Sequence, residues 1–213
     1  MPVSAVEYAP ETSTGVNGGD VTSTSRTYTI GKMVEVLVSV ADNGAAGTLT
    51  ISNSGTAQSW TQRAVTNTGN NCKLALWTCV MNATQAMTIT VAGDGITAAD
   101  SALYITVYTG QHLTDPVPAG KVTSGTGGND VTQVITPTSA GSFLRFLVGD
   151  WNQANAIAAA ANCTIVNSTN QAGHQTTALI HPTTQPRTDT SAFTIGSASD
   201  ATSEVEAWIA FEV

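Results

Sequence analysis

Apolar and polar residues alternate with period two through most of this chain. Such a pattern places successive side chains on opposite faces of an extended strand. The clearest case is residues 33–40, opened by Gly31 and closed by Asp42. Val34, Val36, Val38 and Val40 share one face; Met33, Glu35, Leu37 and Ser39 share the other. Further strands are predicted over residues 24–30, 48–52, 60–65, 73–80, 86–91 and 102–108. The stretch 73–80 is apolar on both sides, so it should lie centrally or under cover. Gly44 with Gly47, residues 67–71 and Asp94-Gly95 supply the turns. The run 156–161 is rich in Ala but too short to hold a helix alone.

The pattern then starts again. Gly141 to Asp150 repeats the key strand: Val34, Val36 and Val38 match Leu144, Phe146 and Val148, and Glu35 matches Arg145. Gly18-Gly-Asp-Val-Thr22 returns at residues 127–132 as Gly-Gly-Asn-Asp-Val-Thr. Residues 161–166 answer the Trp60 region, with Cys163 in place of the indole. Residues 176–182 answer 73–79, and 192–195 answer 86–89. At the end, Ala207, Ile209 and Phe211 are matched to Leu103, Ile105 and Val107, and Trp208 to Tyr104. Six elements recurring in one order imply an internal duplication.

The expected architecture is therefore all-β: an antiparallel, jelly-roll-like β-sandwich of about 10–12 strands. Residues 1–14, with Pro2 and Pro10, read as an irregular N-terminal arm. Residues 15–213 read as a single duplicated sandwich, with repeat one at 15–111 and repeat two at 121–213. Two sandwiches in tandem are the alternative.

Composition narrows the function classes. Charged residues are 10% of the chain, and the net charge is −8. The seven cations (Arg26, Lys32, Arg63, Lys73, Lys121, Arg145, Arg187) are scattered. Nucleic acid and anionic membranes need clustered cations, so neither is an expected partner. The N-terminus has no basic or apolar signal region. The expectation is a chain that starts at its own start codon without a secretion signal. Cys72 and Cys79 sit seven apart on one strand, about 23 Å, on opposite faces, so they cannot bridge each other. Cys163 is left to pair with one of them or to stay free, and no zinc spacing is present.

No catalytic constellation is legible, and no cofactor is expected. His112, His174 and His181 read as loop histidines without a serine elbow. Asp42 and Asp150 end equivalent strands and read as turn formers rather than a glycosidase pair. Asp94 and Asp100 lack the spacing of a calcium loop. Tyr104, Tyr108 and Trp208 alternate away from the expected core face, and Trp151 follows the second key strand. These four are the candidate interface or sugar contacts. The alternative is that a further layer covers that face.

The order of parts resembles a two-repeat β-sandwich module of phage virion proteins and bacterial surface proteins. The likeness rests on the Gly-opened strand, the Trp60-Thr61 strand, Leu74-Ala-Leu-Trp77, Thr88-Ile-Thr-Val91 and Val107-Tyr-Thr-Gly110 before Asp115-Pro-Val. It implies a non-enzymatic structural or adhesive protein. The expected form is a capsid decoration or cement protein on the surface of the virion, assembled in the host cytoplasm. Its partners would be the major capsid protein or another virion protein, with self-association open, and residues 1–14 would order on a neighbour. The alternative is a carbohydrate-binding or adhesive module of a phage tail, fibre or cell surface.

Overall fold

A computed structural model of the chain describes residues 3–16, 20–41, 47–67, 72–94, 99–112, 115–128, 130–151, 156–171, 175–198 and 206–213. Among them every regular element is a β-strand and every pairing is antiparallel. The first half holds β1 (Ser4–Glu7), β2 (Glu11–Val16), β3 (Val21–Thr22), β4 (Arg26–Tyr28), β5 (Met33–Ala41) and β6 (Thr48–Asn53). It continues with β7 (Thr61–Asn67), β8 (Cys72–Val80), β9 (Gln85–Met87), β10 (Ile89–Asp94) and β11 (Ala99–Thr109). The second half holds β12 (Val122–Gly127), β13 (Thr132–Ile135), β14 (Leu144–Trp151) and β15 (Ala158–Ala159). Its last strands are β16 (Cys163–Gln171), β17 (Gln175–Pro182), β18 (Phe193–Ala198) and β19 (Glu206–Glu212).

The two halves share one topology. The large sheet of the first runs β1-β11-β5-β8-β7, with β2 also on β11; that of the second runs β12-β19-β14-β17-β16. Smaller sheets, β3-β10-β6 and β13-β18-β15, cover the outer faces, and β4 pairs β9. The key strands β5 and β14 lie at the centre of the large sheets. Their burial, unbroken over residues 33–41 and 144–150, follows from Val, Leu and Phe on a pleat covered on both sides.

Three cores result. One lies in the first half under Val34, Val36, Val38, Ile89 and Trp77. One lies in the second half under Leu144, Phe146, Val148, Ile180 and Trp208. The third joins the halves: Met33, Leu37, Leu74, Leu76 and Tyr104 meet Leu147, Leu179, Ile209 and Phe211. The large sheets are thus back to back, and the molecule is four layers deep. Across the seam β8 lies over β19 and β14, β17 lies over β11, β5 lies over β14, and β7 lies over β12 and β19.

Register shifts all the expected matches of the last strand by one residue. Leu37 pairs with Tyr104, and its counterpart Leu147 pairs with Ile209. Ile209, not Trp208, therefore stands where Tyr104 stands. A slip of one residue exchanges the two faces of a strand. Trp208 accordingly points into the outer core, stacked on Phe146 with ring centroids 6.0 Å apart.

The segment expected to be irregular is also extended. β1 and β2 pair along β11, and β12 occupies the matching place on β19. Across the join, Asn167 Nδ2 donates to Tyr8 O (3.3 Å), and Gln171 Nε2 donates to Ser13 O (2.8 Å). The N-terminal segment is thus already seated within its own chain. Polar residues such as Thr12, Ser13 and Thr14 hid it, because an edge strand needs no apolar alternation to pair.

Candidate functional site

The two key strands carry one charge each at the matching position, and the fold brings those charges together. Arg145 Nε lies 3.8 Å from Glu35 Oε2, with both side chains fully buried at the seam between the large sheets. Tyr108 links them: its hydroxyl donates to Glu35 Oε2 (2.5 Å) and accepts from Arg145 Nε (2.7 Å). Arg145 Nη2 donates to Thr106 Oγ1 (2.8 Å), and Nη1 donates to Glu7 Oε1 (2.5 Å) on β1. Burial pushes the Glu35 carboxyl up, against the pull of Arg145 and the Tyr108 hydrogen bond. Burial also pushes Tyr108 well up, opposed by Arg145. Burial alone would lower Arg145, but Tyr108, Glu35 and Glu7 around it raise it, so it stays charged.

The seam and the second outer core locate three of the four aromatic candidates. Tyr108 is the bridge of the network and is fully buried. Tyr104 lies on the same seam, 1% exposed, and its hydroxyl bonds the Thr177 hydroxyl and Thr169 Oγ1. Trp208 faces the other way, against Gly125, where an added Cβ would stand 2.9 Å from the indole. None of the three presents a free face for a sugar: the second half is the layer that covers the tyrosines. The side chain of Trp151 lies outside the described residues.

The other candidates do not converge. Asp150 is buried, while Asp42 and His174 lie outside the described residues, as does the side chain of Asp94. Asp100 is buried on β11 beside Ala41. His112 is exposed and accepts from Asp115 N (3.2 Å); His181 sits on β17 with Nδ1 against Pro182 O (2.5 Å). Among the described residues, no three of His, Cys, Asp or Glu are grouped to hold a metal ion. All three cysteines are free thiols. Cys72 faces the seam and Cys79 the outer core, as odd spacing requires. Burial pushes the Cys79 thiol up to about 11, which leaves it without thiolate character at neutral pH.

A cleft of about 1110 Å3 lies where the seam reaches one end of the strands. The chain after β11, the turn before β14, the loop after β17 and the end of β19 build its walls. Glu212 organises one wall. Its buried carboxylate accepts from Thr138 N (2.6 Å), Thr138 Oγ1 (3.1 Å) and Ser142 Oγ (2.6 Å). Arg187 lies over the Phe193 ring at 4.6 Å and reaches Asp189 at 3.3 Å. Sequence reasoning missed this site, since its residues come from separate loops that share no motif.

No protein-family model matches the chain, and no curated protein matches it. Among solved structures, the atomic structure of Sulfolobus Turreted Icosahedral Virus is similar over 99% of this chain and 90% of that one. Identity is 10% and the TM-score 0.30, a likeness too slight to carry an argument.

Proposed function

We propose that this chain is a non-enzymatic virion structural protein, in its most specific form a capsid decoration or cement protein on the assembled phage shell. The observation that carries this reading is the use made of its ionisable side chains. Glu35, Arg145, Tyr108 and Glu7 join the two halves into one body, and among the described residues no three of His, Cys, Asp or Glu are grouped to hold a metal ion. A body of that kind suits a part that binds by shape. Its partners are then the major capsid protein or another virion protein, and its place is the virion surface after assembly in the host cytoplasm. Binding only the assembled form stabilises the shell by mass action. Since residues 3–16 are seated on β11, the docking surface is sought elsewhere than in a free N-terminal arm. The recurrence of topology is read as an internal duplication, with β1 and β2 belonging to the first repeat as β12 does to the second.

The test is co-sedimentation with shells assembled from the capsid protein encoded beside this chain. The expected result is saturable binding at a fixed ratio and a raised melting temperature of the shell. Absence of binding to those shells, or a glycan-array ligand lost in Trp151→Ala, would overturn the reading.

A further inference from the structure

We infer that the cleft at the end of the seam receives an extended polypeptide segment of a partner. This rests on the virion reading only for who supplies the segment. The cleft, at about 1110 Å3, exceeds the roughly 300–1,000 Å3 of small-molecule sites. None of its described lining residues is Trp, Tyr or Phe, and the His112 imidazole is the one aromatic ring among them, a small platform for a sugar or a base. Arg187 is the one lysine or arginine among those lining residues, and it is engaged with Asp189, which makes a poor phosphate site. What the cleft does hold is orphaned hydrogen-bonding capacity. Gln111, 7% exposed, donates Nε2 to Gly31 O (2.9 Å), and its buried Oε1 has no partner. Gln185 donates Nε2 to Leu144 O (2.7 Å), and its buried Oε1 is likewise bare. Both amides are pinned through nitrogen, so in each it is the oxygen that remains. Arg187 Nε is a buried donor without a partner. Two acceptors and one donor on one cleft complement the N–H and C=O groups of an extended backbone. Because these atoms are buried, small side-chain movements accompany docking.

Ala140 and Thr188 are exposed on the cleft walls, so Ala140→Trp and Thr188→Trp fill the cleft without entering a core. The probe is a displayed library of random dodecapeptides selected on the intact chain, with recovered peptides measured by fluorescence anisotropy. The expected result is binding that weakens at least tenfold in both filled variants while their melting temperatures stay unchanged. Gln111→Met and Gln185→Met each weaken it roughly three- to tenfold, the worth of one hydrogen bond. Recovery of no binder, or of binders indifferent to the filled variants, would overturn the inference, as would an oligosaccharide that competes for the cleft. Failure of the virion reading is separate: it shows as no shell binding by the unfilled chain, whatever the peptides do.

Discussion

The seam and the outer cores are built from the same strands but from opposite faces of them. On β5 the outer face is Val34, Val36, Val38 and Val40; the seam face is Met33, Glu35, Leu37 and Ser39. On β14 the outer face is Leu144, Phe146 and Val148, while the seam face holds Arg145, Leu147 and Gly149. The outer cores are apolar and close by hydrophobic burial, which has no direction of its own. The seam interrupts its apolar contacts with a charge pair, a tyrosine bridge and threonine hydroxyls. A buried ion pair is a poor source of net stability, because desolvation offsets its attraction. Its value here is in register: only one alignment of the two sheets brings Arg145 to Glu35, Tyr108 and Glu7 together.

The largest effect should come from breaking that pair. Arg145→Met leaves Glu35 buried without its cation and is expected to cost about 3–5 kcal/mol in urea unfolding. Replacing both partners, Glu35→Leu with Arg145→Met, should recover most of that loss. If the double variant is no better than the single, the register argument gives way to a purely energetic one. An outer-core lesion of similar size, Ile180→Ala, should cost about 2–5 kcal/mol. The two lesions should differ in shape. The core variant keeps a single transition, while the seam variant lets the halves unfold separately, which two probes of unfolding detect as non-coincident curves.

A smaller effect is expected at Gly149, on the seam face of β14. A Cβ added at Gly149 would stand 2.9 Å from Cys72 Sγ and 3.0 Å from both Leu74 Cδ2 and Ser39 Oγ. Gly149→Ala should therefore cost about 1–3 kcal/mol through overpacking, read as a lowered denaturation midpoint. The smallest effect is the pH response. Burial raises the Glu35 pKa in the folded chain, so folding favours the protonated form. Its contribution is full below the ordinary carboxylate value of 4.5 and is lost as pH rises through the folded pKa. Wild type should lose stability relative to Glu35→Gln across that rise. A flat difference between the two would place the charge cost elsewhere.

Most strands were legible because each one's alternation is a local property. Residues 33–40 became β5, residues 73–80 became β8, and the echo at Gly141 became β14. Residues 86–91 divided into β9 and β10, since Met87 and Ile89 serve one core from two sheets. The match of Glu35 to Arg145 was legible as a coincidence of position, but not as a contact. β1, β2 and β12 were not legible as strands: they are edge elements, held by backbone bonds to β11 and β19, and backbone bonding leaves little mark on side-chain type. The burial of Tyr104, Tyr108 and Trp208 was not legible for a related reason. Alternation separates two faces of a strand without telling which is covered, and here both are.

The sequence by itself determined the all-β class and most of the strands and their order, because side-chain alternation and turn residues act over a few positions. Only the tertiary structure decided that the large sheets stand back to back. That choice rests on contacts between residues from 37 to 138 positions apart, far beyond the reach of a local pattern. It turned two lone charges into a buried pair, two apparent surface tyrosines into seam residues, and separate segments of the chain into a cleft.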